Sequence, residues 1–291
     1  MGKIWELDFY SRPILDDEKK KLWEVLICET LTEIDQKPES LFRYSEFCAS
    51  KTVNSLWLRE AIEKAVAQAG ETPKKIRFFR RQMNNMILKA CEDSNIIAAP
   101  SRRTYTLNAW IDQRNKTFYP SQPGYDENAA KSLSVKYPPL AAIALPDAVR
   151  VDKGDKWAFV NLEASAFADM KEWDIAFGEA FPFSMTEISP DTKIPGLIIF
   201  SSRALPLAAW MSGLELGYLQ FEAGSRPIMR LETGSSDSWI LTNVSDAKTL
   251  AEAKGFEAKK ENAAKVHFLA IQSLPESESF AGFWLLKEED F

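Results

Sequence analysis

The sequence has a single histidine and only three cysteines among its 291 residues. His267 lies in the alternating segment VHFLAIQS, which is typical of a strand, and no partner nucleophile is evident, so we expect a core or surface residue rather than a catalyst. The cysteines, Cys28, Cys48 and Cys91, are widely spaced and flanked by apolar or aromatic residues. We therefore expect buried thiols in a reducing compartment rather than a disulfide scaffold.

The sequence also lacks the short patterns of metal and nucleotide sites. The zinc spacings CxxC, HxH and HExxH do not occur. Neither do the loops GxxxxGK[ST] and GxGxxG or the nucleophile elbow GxSxG, so nucleotide-dependent and serine-hydrolase chemistry lack their signatures. From the sequence we therefore expect no cofactor and no metal ion.

Long apolar runs are missing as well. No run approaches the roughly 20 apolar residues that cross a bilayer, so we expect no membrane span. The first residues, MGKIWELDFY, resemble neither a signal peptide nor a transit peptide. We expect a cytoplasmic protein.

What the sequence does contain predicts a globular α/β (α+β) protein. It is 45% hydrophobic and has nine tryptophans, and its length favours two domains. Aromatic and β-branched residues predict three strands, then a helix, a strand, a helix and a strand. The corresponding segments are IWELDFYSRPI, KLWEVLIC, LFRYSEFC, VNSLWLREAIEKAVAQAG, KIRFFR, QMNNMILKACEDSN and TYTLNAWI. This order is that of ribonuclease-H-like folds, which is our topology hypothesis for the N-terminal domain.

In the first helix we expect Val53, Trp57, Ile62, Val66 and Ala69 to face inward. Ser50 or Thr52 is the expected cap and Gly70 the expected end.

Prolines and glycine interrupt the pattern between residues 115 and 139. We therefore predict an N-terminal α/β domain at 1–118, a linker at 119–139 and an acidic C-terminal α/β domain at 140–291. Each domain is expected to have a mixed sheet with packed helices. The second contains the strand patterns WAFVNLEA, GLIIF, PIMRLE, SWILTNV and VHFLAIQS, and the helix patterns PLAAWMSGLELG and DAKTLAEAKGFEAKKENA.

Charge is distributed unevenly. The first 125 residues have a net charge of +3 and the remaining 166 a net charge of −9. From Lys74 to Lys116, ten basic residues face three acidic ones. A basic surface with interleaved aromatic rings suits single-stranded nucleic acid, although strands also use these residues for cores and guarded edges. The predicted RNA-binding residues are Lys74, Lys75, Arg77, Phe79, Arg80, Arg81, Arg102, Arg103, Tyr105, Arg114 and Lys116.

Longer motifs make the chain recognisable. WELDFYSRPI, KKLWEVLIC, FRYSEFC and VNSLWLREAIE, followed by LPLAAWMSGLEL and the terminal GFWLL, resemble the Tab-two family of cyanobacterial and chloroplast RNA-binding proteins. The resemblance extends along essentially the whole chain. Its signature Trp-Leu-Leu falls on Trp284, Leu285 and Leu286.

The resemblance implies a non-enzymatic factor that binds A/U-rich messenger leader sequence and supports translation of photosystem subunits of the psaB type. It also implies a role in photosystem biogenesis in cyanobacteria, with single-stranded RNA rather than DNA as the partner and translation machinery or assembly proteins as further candidates. The alternative functions are a protein-binding photosystem assembly factor and a degenerate or active metal-dependent nuclease.

Two motifs leave alternatives open. Asp8 and Arg12 are expected to form a structural ion pair or turn contact, against the relic of a metal site. Phe283 to Leu286 is an apolar run that predicts a last strand buried on both faces, against an exposed docking patch. A weak nuclease-like trace, Pro146-Asp147 with Glu163-Ala164-Ser165, lacks the lysine that such a site would require.

Overall fold

The computed structural model describes residues 2–31, 34, 38, 41–131, 141–147, 149 and 155–289. The chain divides into two units, the first within residues 1–30 and 38–138 and the second within 31–37 and 139–290. The fold is mixed α/β, as the sequence predicts. No helix of the described residues is both long and apolar enough to cross a membrane.

The first unit is built on one five-stranded sheet. Its strands are β1 (Ile4–Leu15), β2 (Lys21–Glu29), β3 (Arg43–Cys48), β4 (Lys75–Phe78) and β5 (Ile97–Pro100), in the order β3-β2-β1-β4-β5. Strands β1 to β3 are antiparallel, whereas β4 lies parallel to both β1 and β5. The ribonuclease-H-like topology of this unit stays a prediction.

Two helices lie on one face of this sheet. α1 (Ser55–Ala69) and α2 (Asn84–Asp93) pack against a core that includes Trp5, Leu7 and Phe9 of β1. These three residues alternate along the strand and so share one face. Cys28, Cys48 and Cys91 are buried free thiols, as predicted.

Helix α1 ends where the sequence predicts, but its N-terminal cap is a different residue. Gly70 closes it in the left-handed region at φ 72°, which suits glycine. Its cap is Asn54, whose side chain accepts a hydrogen bond from the Trp57 backbone N–H at 2.8 Å, rather than Ser50 or Thr52. The fully buried residues are Leu58, Ala61, Ile62 and Ala65. Of the five residues predicted to face inward, Ile62 is fully buried and the other four are partly buried and pack against the same core.

The segment TYTLNAWI is a helix, so the prediction of a strand there is wrong. It forms α3 (Tyr105–Gln113), and the strand that completes the sheet is the shorter β5. Its aromatic and β-branched residues favour a strand locally, but Thr106, Leu107 and Trp110 are buried at helical spacing. α3 covers the second face of the sheet, where Leu107 and Trp110 meet Leu26 and Cys28.

After α3 come a π-helical turn (Arg114–Phe118), a 3-10 turn (Tyr119–Ser121) and α4 (Glu127–Lys131). Tyr119 is fully buried in the first unit. The 3-10 turn and α4 fall within the predicted linker, of which residues 132–139 lie outside the described residues. The linker boundaries stay a prediction.

The second unit has two sheets where the sequence predicts one. The larger contains β7 (Lys156–Glu163), β8 (Ile175–Glu179), β9 (Lys193–Phe200), β13 (Val266–Gln272) and β14 (Phe280–Lys287), in the order β7-β9-β13-β14-β8. The smaller contains β6 (Ile143–Ala144), β10 (Leu216–Glu222), β11 (Ile228–Thr233) and β12 (Asp237–Asn243), in the order β10-β11-β12-β6.

Helices α5 (Ala204–Ser212) and α6 (Ala247–Asn262) join both sheets in one core. The predicted helix PLAAWMSGLELG stops at Ser212, and its last residues begin β10. The terminal motif lies within β14, between β13 and β8. Trp284, Leu285 and Leu286 are at most 4% exposed, in agreement with a buried last strand rather than a docking patch.

The glycine of the terminal motif GFWLL makes room for the tryptophan. A Cβ on Gly282 would lie 2.4 Å from the Trp284 ring and 3.0 Å from the Ala208 Cβ. We expect Gly282→Ala to lower the free energy of unfolding by about 1–3 kcal/mol, the usual cost of overpacking. Gly224→Ala is the matched control, since no atom lies within 4 Å of its added Cβ. Urea unfolding measures both, and equal stability of the two variants would contradict the prediction.

The single histidine predicts a pH dependence. His267 is buried in β13, where its Nε2 accepts from the Leu219 N–H at 2.8 Å. Burial, with the charge of Lys260, lowers the pKa of His267 well below its usual 6.5. The fold therefore prefers the neutral ring, so this stabilisation is fully present above pH 6.5 and is lost as the pH falls toward the folded pKa.

We expect the unfolding free energy of the wild-type chain to fall more steeply between pH 6.5 and 5.5 than that of His267→Gln, by up to about 1.4 kcal/mol per pH unit. Urea unfolding across this range measures the difference, and between pH 7 and 8 the two slopes serve as the control because they should agree. Parallel slopes below pH 6.5 would rule out the buried neutral histidine as their cause.

Candidate nucleic-acid interface

The basic segment that starts at Lys74 is divided between two edges of the first sheet. Lys74 and Lys75 lie at the beginning of β4, whereas Arg80 and Arg81 follow its end. At about 3.3 Å per residue, the two pairs are roughly 20 Å apart along the chain direction. The predicted RNA-binding residues therefore do not form one continuous basic surface.

A smaller group does come to one edge. β4 and β5 are parallel neighbours, and Phe78 pairs with Pro100, so the residues that follow both strands leave the sheet at the same side. Open sheets with parallel strands commonly bind ligands at this edge. We call the group formed by Phe79, Arg80, Arg81 and Arg102 the arginine edge. All four are half-buried.

The remaining predicted residues differ in exposure. Lys74 and Lys116 are exposed and Lys75 is half-buried, whereas Arg77, Arg103, Tyr105 and Arg114 are buried. The strand pattern predicts Arg77 on a wet face opposite Ile76 and Phe78. That expectation is wrong because the face is covered: α3 lies over this side of the sheet, and Arg77 is 2% exposed.

A chain of buried ion pairs runs inward from the arginine edge. Asp8 of β1 binds Nε and Nη2 of Arg80, and its Oδ2 also accepts from Arg12 at 2.8 Å. Arg12 Nε reaches Glu24 of β2 at 3.2 Å, and Glu24 also binds Arg114. We call this series, Arg80, Asp8, Arg12, Glu24 and Arg114, the ion-pair chain. It links elements from both ends of the first unit's sequence.

The two carboxylates of the chain respond differently to burial. Burial opposes ionisation of Asp8, but the charges of Arg80 and Arg12 outweigh it, so the pKa of Asp8 is lowered. For Glu24 burial outweighs Arg12, Tyr119 and Arg114, so its pKa is raised. Burial raises the pKa of Tyr119 as well, and its protonated hydroxyl donates to Glu24.

Aromatic rings accompany the guanidinium groups. The Cζ of Arg80 lies 4.0 Å from the ring centre of Tyr10 and 4.9 Å from that of Phe79. At the inner end, Arg114 lies 3.8 Å from the ring centre of Phe118. Such contacts hold a planar guanidinium in a defined orientation.

Tyr10, Glu24 and Tyr119 are not among the residues predicted from the sequence. The segment WELDFYSR does contain a signal for a row of carboxylates, since Glu6 and Asp8 recur with the period of a strand and so share one face. Alternating carboxylates are typical of a strand face that is exposed to solvent. Both carboxylates are buried because α3 covers this face. Glu6 there accepts a hydrogen bond from the Leu107 N–H of α3 at 2.7 Å.

Two carboxylates of this region, those of Asp8 and Glu24, have cationic partners. Asp8 and Glu24 bind arginines as described, in agreement with the expected structural ion pair between Asp8 and Arg12. Among the described residues, no three His, Cys, Asp or Glu side chains come together in a way that could hold a metal ion. In the second unit, Glu163 of the nuclease-like trace binds Lys193 at 2.6 Å.

The second unit contains an open cleft of about 800 Å³ beside β8 and β14. Three carboxylates line it, those of Glu172, Asp174 and Glu278, together with the rings of Trp173 and Phe280. Because like charges repel, this cleft does not suit a polyanion. The arginine edge is therefore the better candidate for RNA.

The solved structures that this chain resembles are distant ones, and two retroviral structures are among them. The HTLV-2 integrase catalytic core domain, in a structure with magnesium, is 16% identical and covers 44% of this chain and 79% of its own, with a TM-score of 0.27. The simian T-cell lymphotropic virus intasome, in complex with PP2A regulatory subunit B56 gamma, is 13% identical and covers 83% and 79%, with a TM-score of 0.32. Both scores are below 0.5, so they do not establish the fold.

Comparison of sequences is far more specific. The protein TAB2 homolog, chloroplastic, of Arabidopsis thaliana is 35% identical over 291 residues, which cover 98% of this chain and 74% of the relative. The Zea mays protein of the same description is 35% identical over 289 residues, covering 97% and 70%.

Two family models match successive parts of the sequence. Residues 4–114 match the N-terminal model of RNA-binding protein Tab2/Atab2, and residues 132–287 match its C-terminal domain. Together with the relatives, these matches cover both units and the motifs on which the resemblance is based. The chain belongs to the Tab2/Atab2 family of RNA-binding proteins.

Proposed function

We propose that this chain binds single-stranded, A/U-rich messenger leader RNA at the arginine edge of its first unit. In this proposal it supports translation of photosystem subunits of the psaB type and acts without catalysis, in the cytoplasm of a cyanobacterium. The observation that carries the choice of surface is the convergence of Phe79, Arg80, Arg81 and Arg102 beyond the ends of two neighbouring parallel strands. Family membership supports RNA as the ligand.

The chemistry of the arginine edge fits an unpaired strand. Guanidinium groups bind phosphates, and half-buried rings such as Tyr10 and Phe79 offer faces on which bases can stack. The chain as a whole has a net charge of −6, so attraction of RNA depends on this local concentration of cations. Affinity should therefore be sensitive to salt.

The nuclease alternative has less support. Metal-dependent cleavage needs carboxylates that converge on a cation. Asp8 and Glu24 instead accept hydrogen bonds from arginines, and these contacts occupy the oxygens that a magnesium ion would use. The assembly-factor alternative is separated from RNA binding by the experiment that follows.

The first experiment measures binding of the wild-type chain to an A/U-rich single-stranded RNA by fluorescence anisotropy, between 50 and 300 mM salt. Magnesium is present, and the RNA is checked for cleavage on a gel. We expect intact RNA and a log affinity that falls linearly with log salt. A G/C-rich RNA of equal length tests base preference. Cleavage would support the nuclease, and absence of binding at any salt would move the function to protein partners.

Charge reversal at opposite ends of the parallel strands β4 and β5 tests the surface. Arg81→Glu with Arg102→Glu should weaken RNA binding by about tenfold or more and lower the salt slope by about 1.4, because two phosphate contacts on a single strand are lost. Lys74→Glu with Lys75→Glu makes the same change in net charge at the opposite edge of the sheet. This control should bind within about threefold of wild type.

Arg80 is excluded from this pair of variants, since a glutamate there would face the buried carboxylate of Asp8 and act on folding. Circular dichroism confirms that both double variants are folded. Equal loss in the two would mean that only net charge matters, and it would remove the arginine edge as the site.

A further inference from the structure

Arg80 has the most exposed side chain of the three arginines in the ion-pair chain. Its side chain is 17% exposed, against 3% for Arg12 and 9% for Arg114. The ion-pair chain has three guanidinium groups and two carboxylates, so one positive charge is in excess when both carboxylates are ionised. That excess charge is accessible to a ligand at Arg80.

The contacts of Arg80 leave one nitrogen for a ligand. Asp8 takes Nε and Nη2. Within the part of the chain that the structure describes, Nη1 makes no hydrogen bond. It is also not buried, so a ligand can reach it. A guanidinium held along one edge by a carboxylate can still donate from its other edge to a phosphate oxygen.

Asp8 is itself held by a second arginine. It is fully buried in β1, and its Oδ2 also accepts a hydrogen bond from Arg12 at 2.8 Å. The rings of Tyr10 and Phe79 restrict the Arg80 guanidinium further. The rotamer freedom of this long side chain is therefore lost on folding rather than on binding, which favours affinity.

We propose that Asp8 is a positioning residue that holds Arg80 in place to donate to a phosphate of the bound RNA. This inference rests on the proposed function. It adds that a buried carboxylate strengthens the binding of RNA, although RNA is itself an anion. The usual electrostatic effect has the opposite sign, because a carboxylate beneath an RNA surface repels phosphate. The sign of the effect of removing Asp8 therefore separates the two roles.

The test compares Asp8→Asn with Glu24→Gln by anisotropy on the same A/U-rich RNA and salt series. Both variants remove one buried carboxylate charge from the ion-pair chain, but only Asp8 contacts Arg80. We expect Asp8→Asn to weaken binding about tenfold and to lower the salt slope by about 0.7, as for one lost phosphate contact. Glu24→Gln should stay within about twofold of wild type.

Arg80→Ala completes the cycle. It should lose as much affinity as Asp8→Asn, and the double variant should lose no more than either single one, because both act through one contact. Binding of folded Asp8→Asn that equals or exceeds wild type would overturn the proposal and leave Asp8 a structural residue. Failure of wild-type RNA binding at every salt would be a different result, since it overturns the proposed function itself.

Arg80→Lys keeps the test decisive if Asp8→Asn does not fold. Lysine retains the charge but lacks the planar fork that Asp8 grips. If positioning matters, Arg80→Lys should bind as weakly as Arg80→Ala. If it binds like wild type with an unchanged salt slope, charge alone is sufficient and the proposal is wrong.

Discussion

The ion pairs of Asp8 with Arg80 and Arg12 are the constraint on which the first unit depends. They join the middle of β1 to the segment that follows β4, and through Glu24 they continue to Arg114 beyond α3. A buried carboxylate is costly unless it is paired, and each carboxylate of the ion-pair chain binds two arginines. The ion pair of Asp8 with Arg80 holds one residue of the arginine edge, and the rest of the ion-pair chain compensates charges in the interior.

Helix α3 decides which charges become part of that interior. It covers the face of the sheet on which Glu6 and Asp8 lie and on which Arg77 is buried. Without the helix, this face of the mixed sheet would be exposed to solvent, and Arg77 with it. With the helix in place Arg77 is buried, whereas the arginine edge beyond the strand ends is half-buried. The small size of the candidate RNA surface follows directly from this coverage.

The second unit has a different physical character. Its terminal motif is the inner strand of a sheet, with Phe283 stacked on Phe268 at 5.1 Å and with Gly282 leaving space for Trp284. Its surface cleft is acidic. This acidic cleft contrasts with the arginine edge of the first unit, which is the surface proposed for RNA, and the terminal motif contributes Trp284 and Leu286 to the core of the second unit.

Local pattern was sufficient for most of the elements: the first three strands, the helix that ends at Gly70, the helix α2 and the buried last strand follow from periodicity and turn chemistry. The resemblance of long motifs was sufficient for the family. TYTLNAWI was misassigned because its residues favour a strand, and only packing against Leu26 and Cys28 makes it a helix. Arg77 was misplaced for the same reason, since alternation shows that a strand has two faces but not what covers the second.

The sequence by itself determined that the chain is α/β, that its basic residues are concentrated between Lys74 and Lys116, and that it belongs to an RNA-binding family. Which of those cations reach solvent was decided by the tertiary structure. Strand direction sends Lys74 and Arg80 to opposite edges, and burial pairs Arg114 with Glu24, a residue 90 positions away. Such contacts depend on the global path of the chain, which local periodicity does not encode.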